Sequence, residues 1–115
     1  MGDGINKAME ILICILNLPN GTLLIDEIEN GFHYSLYEKL TKIFCETALK
    51  MNCQIIMTTH NRDIIEAVMN SMTELNDLNG LCYQRLAILK SGKRKAFTFQ
   101  GEELKDSFDA NMEIR

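Results

Sequence analysis

Two short apolar runs, each stopping abruptly at a block of polar side chains, constrain this chain more than any other feature. Thr22-Leu23-Leu24-Ile25 ends in Asp26-Glu27, and the run from Gln54 to Thr58 ends in Thr59-His60. Runs of this length and composition read as buried strands. Helical patterns lie between and around them, so the expected fold is α/β with a mostly parallel sheet and helical crossovers. Open sheets of that kind bind ligands beyond the carboxyl ends of their strands. Asp26, Glu27 and His60 are thereby expected at one sheet edge.

The rest of the chain supplies the crossovers. Ile5, Met9, Leu12, Ile13 and Leu16 recur at helical spacing, and Ile11 and Ile15 add apolar character on a second side, which predicts a helix buried between layers. Pro19-Asn20-Gly21 ends it with turn chemistry. A second helix is expected from Ser35, with its hydroxyl as cap, Glu38 reaching back, and Leu36, Leu40, Ile43 and Phe44 as core stripe. Asn52 marks its end. Asn61 is a cap for a third helix that turns Ile64, Ile65, Val68, Met72 and Leu75 inward. Residues 76–80 read as a loop. Cys82–Leu89 and Lys95–Phe99 then flank Ser91-Gly92-Lys93 as a β-hairpin, and a helix from Glu102 to about Ala110 closes the chain, with Leu104 and Phe108 one turn apart.

At 115 residues the chain is expected to form a single domain, residues 1–115. The apolar stretch from Ile11 to Leu18 is too short to span a bilayer, and no basic segment precedes it, so neither a membrane span nor a signal peptide is expected. The formal charge of −4 argues against tight nonspecific nucleic-acid binding by this segment. Cys14, Cys45, Cys53 and Cys82 show no CxxC spacing and read as reduced core thiols of a cytoplasmic protein.

Asp26 and Glu27 carry the expected chemistry. On a strand, consecutive side chains point to opposite faces, so the pair can divide its work. One acid supports magnesium, usually through water; the other orients or deprotonates an attacking water. His60, at the next strand end, stands where an imidazole donates to a phosphate oxygen. The alternative is a strand that ends in solvated acids beside a histidine bonded to a nearby carbonyl. Glu29, Asn30, Gly31, Phe32 and His33 form the loop after the acids, and Gly31 permits a positive φ there. The basic cluster Lys90, Lys93, Arg94 and Lys95 at the hairpin tip lacks interleaved aromatics and reads as solvated.

Three segments together, Gly2-Asp3-Gly4, Leu23-Leu24-Ile25-Asp26-Glu27-Ile28-Glu29-Asn30-Gly31 and Thr58-Thr59-His60-Asn61, resemble the ABC-type ATPase domains of the AAA-21/OLD-like group. The resemblance covers nearly the whole chain, through Glu113-Ile114-Arg115. It implies a partial P-loop NTPase three-layer fold with ATP and Mg2+ as cofactors. Asp26 would be the Walker B acid supporting magnesium, Glu27 the general base, and His60 the switch histidine that senses the γ-phosphate. Glu29, Asn30 and Gly31 would fall in the D-loop, along a dimer interface. Gly2-Asp3-Gly4 would be the tail of the signature motif, which contacts a partner's ATP.

No G-x-x-x-x-G-K-[ST] phosphate loop occurs in the sequence. The expectation is therefore the C-terminal half of such a domain, working with a Walker A-bearing N-terminal half or partner subunit. A homo-oligomer is also expected, because the missing half would leave apolar faces and sheet edges uncovered. DNA would be reached only through the full assembly. Two rivals stand beside this reading: a non-catalytic remnant serving as an interaction module, and a magnesium-dependent nuclease built on Asp26, Glu27 and Glu29.

Overall fold

The computed structural model describes the backbone over residues 2–109 and the side chains over residues 4–107. The side chain of Phe108 and the segment Glu113-Ile114-Arg115 lie outside the described residues. The order is α1 (Gly2–Leu16), β1 (Thr22–Ile25), a 3-10 turn (Tyr34–Leu36), α2 (Tyr37–Met51), β2 (Gln54–Met57), α3 (Arg62–Glu74), a second 3-10 turn (Leu78–Gly80), β3 (Cys82–Ile88), β4 (Arg94–Gln100) and α4 (Glu102–Asp109). The chain is thus α/β. It divides into two compact units, residues 1–71 and 72–115.

In the first unit β1 and β2 pair in parallel, with Leu23 opposite Ile55 and Ile25 opposite Met57. The ladder continues past the strands: Thr58 N–H donates to the Ile25 carbonyl at 2.9 Å, and Ile28 N–H returns to the Thr58 carbonyl at 3.1 Å. The polar residues after each run are therefore bound together by backbone before any side chain acts.

The strands are not buried on both faces. Leu23, Ile25, Ile55 and Met57 are half-buried, whereas Leu24 and its partner Ile56 are 72% and 49% exposed. A run of apolar residues predicts two covered faces, but covering each face needs a layer on each side. Among the described residues only one face has such cover. Helix α1 departs from expectation for the same reason. Ile11 and Ile15 are buried, while Ile5, Met9, Ile13 and Leu16 form an exposed stripe, each more than half exposed. A stripe of this size on a helix already packed along its other side is unusual.

Helix α2 begins differently from its expected capping box. His33 is the residue that caps the preceding 3-10 turn: its Nδ1 accepts from Ser35 N–H at 3.2 Å and pairs with the Ser35 hydroxyl at 2.7 Å. Glu38 accepts from Asn70 Nδ2 at 3.2 Å instead of reaching back. The turn rotates the helix, so Tyr37, Thr41, Phe44, Cys45 and Ala48 are buried and Leu36 and Ile43 are exposed. Thr41 Oγ1 satisfies itself on the Tyr37 carbonyl at 2.7 Å and on Ser71 Oγ at 3.0 Å, which makes a polar residue tolerable in the core. Asn52 ends the helix in the left-handed region, φ +52°. Its amide donates to Oδ1 of Asn20, itself at φ +61°, tying the ends of α1 and α2 together behind the strands.

Asn61 caps α3, its Oδ1 accepting from Asp63 N–H at 2.8 Å. Ile64, Ile65, Val68 and Met72 are buried as the periodicity predicts, while Leu75 lies beyond the helix and is half-buried. In the second unit β3 and β4 pair antiparallel from Cys82–Gln100 to Ile88–Arg94. The turn closes through Leu89 N–H to the Lys93 carbonyl at 2.8 Å, and Gly92 sits at φ +84°. Leu104 of α4 is fully buried. Sheet β1-β2 and sheet β3-β4 are separate, so the strands form two small sheets, one parallel and one antiparallel. Cys45 and Cys53 are buried, but Cys14 and Cys82 are exposed, which corrects their reading as core thiols.

Candidate functional site

The segment after β1 turns sharply instead of continuing as strand. Glu27 takes φ +48°, a left-handed conformation that costs a non-glycine residue about 1 kcal/mol or more. The divergence of Asp26 and Glu27 thus comes from this bend and not from strand alternation. Thr58, the first residue after β2, links them. Its hydroxyl accepts from Glu27 N–H at 2.8 Å and donates to Asp26 Oδ1. One threonine therefore reads the positions of both acids at once.

Beyond the bend the acids separate further in their surroundings. The Glu27 carboxylate accepts from Asn30 Nδ2 at 2.8 Å, and its Oε1 stands 3.9 Å from His60 Nε2. The imidazole of His60 is 87% exposed, and so is free to meet a ligand from solvent. Glu29 is used structurally: it accepts from the Thr59 hydroxyl at 2.6 Å and from His60 N–H at 3.1 Å. Burial works to raise the Glu29 carboxyl, but these bonds, with its own backbone N–H and the nearby imidazole, outweigh it and hold the group below the usual carboxylate range. Thr59 Oγ1 in turn accepts from Asn61 N–H at 3.0 Å, so the cap of α3 belongs to the same network.

Helix α1 meets this loop at its start. A Cβ added to Gly4 would lie 3.0 Å from the Gly31 carbonyl oxygen, so the close approach favours glycine, and a side chain there would force that backbone to give by a few tenths of an ångström. Gly31 adopts φ +89°, as its position after the acids predicts. One turn further along α1, the Lys7 ammonium reaches the carbonyls of Ile28 at 3.1 Å, Asn30, and Glu27 at a longer 3.5 Å. It also lies 5.0 Å from the centre of the Phe32 ring. Burial lowers the Lys7 ammonium from its ordinary value, against the opposing pull of Glu29 and Glu27.

The structure thus gathers Gly4, Asp26, Glu27, Glu29, Asn30, Gly31 and His60 at the carboxyl ends of β1 and β2. Gly2 enters only as backbone at the start of α1, and the side chain of Asp3 is outside the described residues. The chemistry available is an exposed carboxylate at Asp26, a second carboxylate oriented by Asn30, and an imidazole beside it. The acids offer the oxygen donors that magnesium takes. A separate open groove is lined by Tyr34, Tyr37, Glu38, Asp63 and Glu66, and none of the gathered acids lines it.

Sequence reasoning missed Lys7 and the bridging role of Thr58. Lys7 is the only lysine or arginine before Lys39 and the only cation of a helix whose other charged residues are Asp3 and Glu10, which was a usable signal. Thr58 carried none beyond its place after the strand.

An α/β unit with paired acids and a histidine at adjoining parallel strand ends is compatible with a P-loop NTPase-like fold. The family profile described as "AAA domain, putative AbiEii toxin, Type IV TA system" matches residues 1–66, and the chain belongs to that family, the AAA type of ATPase domain. The chain is 38% identical over 68 residues to an "ATP/GTP phosphatase" of Helicobacter pylori, a match that covers 56% of this chain and 18% of that protein's length. An uncharacterized protein of Methanocaldococcus jannaschii is 29% identical over 85 residues, covering 74% of this chain and 75% of the relative. No solved structure matches the chain significantly. Among the described residues no helix is long and apolar enough to cross a membrane.

Proposed function

We propose that this chain is the Walker B, D-loop and switch-histidine half of an ABC-type, OLD-like ATPase domain, one domain over residues 1–115 that completes a three-layer fold with a Walker A-bearing half or partner subunit. The observation that carries the proposal is the cluster at the ends of β1 and β2, where hydrogen bonds join Thr58, Asp26, Glu27 and Asn30 and the His60 imidazole stands 3.9 Å from the Glu27 carboxylate. Hydrolysis of a nucleoside triphosphate needs phosphate positioning, neutralisation of charge, and an oriented water. The network supplies the last of these and part of the second.

In this reading Glu27 accepts the proton of the water that attacks the γ-phosphorus, with Asn30 fixing which carboxylate oxygen is turned to it. His60, exposed and beside Glu27, donates to a γ-phosphate oxygen. Asp26, held by Thr58, is the carboxylate that would support magnesium, whose charge offsets that of the phosphates. Gly2, Asp3 and Gly4, at the amino end of α1, take the role of signature-motif tail toward a partner's nucleotide, because a helix start presents unpaired N–H groups. Glu29, Asn30 and Gly31 form the D-loop. The name of the Helicobacter relative supports ATP and GTP as the substrates to try first.

The sequence holds no phosphate loop, so turnover requires that element from another segment or subunit. The uncovered apolar faces, Leu24 and Ile56 on the sheet and Ile5, Met9, Ile13 and Leu16 on α1, are where such a partner or a second copy would pack. The same exposed faces favour a second reading, a non-catalytic interaction module. We place the chain in the cytoplasm, and DNA would be engaged only by the full assembly.

The test is a purified complex of this chain with a Walker A-bearing half from its own family, assayed for phosphate release from ATP and GTP with Mg2+ and with chelator. Turnover that needs both the partner and Mg2+ supports the proposal. Nucleotide binding without turnover favours the interaction module. Metal-dependent cleavage of plasmid DNA without nucleotide would replace both with a nuclease.

A further inference from the structure

We propose that Lys7 is a positioning residue of the acidic site, holding the turn 27–30 so that the Glu27 carboxylate stays where Asn30 and His60 meet it. This rests on the reading of Glu27 as base, but its structural half can be decided without it. The turn has an intrinsic reason to relax, because Glu27 is a non-glycine residue at φ +48° with its side chain 46% exposed and so not clamped by packing. Something must over-determine such a conformation.

Two groups do so. Thr58 holds the Glu27 N–H from the side of β2. Lys7 holds the other side of the same peptide run: its three ammonium hydrogens face three carbonyls, those of Glu27, Ile28 and Asn30. An ammonium ion is suited to this task because carbonyls that point toward one centre repel each other and a cation removes the repulsion. The Phe32 ring, its centre 5.0 Å from the ammonium, favours the cation through its π face. The Lys7 stem also runs past Gly31, its Cδ 3.6 Å from where a Cβ there would lie. Lys7 and Gly4 share one side of α1, one turn apart, so the helix start and the acidic turn are fixed to each other at two points. None of these carbonyls reacts, and Lys7 acts on the site only through Glu27.

A stabilising contact alone would not predict a selective kinetic effect, and that difference makes the test. Lys7→Met keeps the stem and removes the charge; Lys7→Arg keeps the charge. In the isolated full chain, amide and side-chain NMR resonances report the turn directly. Lys7→Met is expected to shift the Asn30 side-chain amide, which donates to Glu27, and to speed hydrogen exchange at residues 27–30 by about fivefold or more. Hairpin resonances in β3 and β4 stay in place, which shows that the fold persists. In the hydrolysing complex, kcat is expected to fall roughly 10- to 100-fold, as displacement of a catalytic group by a fraction of an ångström to an ångström does, with KM unchanged within about twofold. Lys7→Arg should recover most of kcat.

Unchanged resonances at Asn30 and residues 27–30 in Lys7→Met overturn the proposal. So does a moved turn with unchanged kcat in an active complex. If the wild-type complex hydrolyses nothing, the ATPase reading fails by itself, and the NMR result alone decides whether Lys7 positions the Glu27 carboxylate.

Discussion

Replacing Thr58 by Val removes one hydroxyl and preserves the branched shape, so it isolates the link between the two strand ends. Two bonds are lost: the Glu27 N–H to Thr58 Oγ1 at 2.8 Å, and the hydroxyl to Asp26 Oδ1. The first is a neutral bond of about 0.5–1.5 kcal/mol net. The second ends on a carboxylate and would contribute about 1.5–3 kcal/mol if buried. Both groups are solvent-exposed, which reduces the second to about 0.5–1 kcal/mol. The expected loss is about 1–2 kcal/mol, a fall in melting temperature of about 4–8 °C for each kcal/mol in a domain near this size. Urea unfolding followed by circular dichroism should show a lower midpoint at constant slope. Hydrogen exchange at the Glu27 amide should quicken, since its acceptor is gone. The second unit, residues 72–115, should be unaffected when its amides are read separately. A midpoint change equivalent to less than about 0.3 kcal/mol, with unaltered exchange at Glu27, would refute the assignment of Thr58 as the bridge.

Three further outcomes follow from single sites. Asn52→Ala forces alanine to φ +52° and removes the bond to Asn20, so it should destabilise by about 1–2 kcal/mol in thermal unfolding, whereas Asn52→Gly should cost less because glycine accepts that φ. Glu29 has a lowered folded pKa, so its contribution is present above the ordinary carboxylate value of 4.5 and is lost as pH falls through the folded value; Glu29→Gln should flatten the acid limb of stability below that pH. Burial pushes the Cys45 thiol from 9.0 up to about 11, so its contribution is intact below pH 9 and lost as pH rises through about 11; the difference between wild type and Cys45→Ala should narrow across that window, measured by urea unfolding at each pH.

The parts of this molecule legible in its sequence are those set by local chemistry. The ends of β1 and β2 could be read to within a residue because three consecutive apolar residues followed by acids or threonines leave little else for the segment to be. Asn61 and Asn52 could be read because an amide side chain caps a helix start and tolerates a left-handed helix end. The start of α2 was misread because His33 and Ser35 compete for the same capping role two residues apart, and one extra 3-10 turn rotates every later side chain. Lys7 was hidden for a different reason: its acceptors are backbone carbonyls about twenty residues away, and a carbonyl has no sequence signature. Exposure of Leu24 and Ile56 was also beyond a reading by pattern, because apolar residues show that a face wants cover but not whether it is covered. At the site itself, sequence named the acids and the histidine, while the geometry supplied the bend at Glu27 that separates them.

The most direct measurement of the central claim is phosphate release by the complex of this chain with a Walker A-bearing half, compared between wild type and Glu27→Gln. The account predicts that Glu27→Gln keeps ATP binding, since the carboxylate does not cradle the phosphates, and loses turnover by at least about a hundredfold. Hydrolysis at the wild-type rate in Glu27→Gln would remove Glu27 from the role of base and contradict the account.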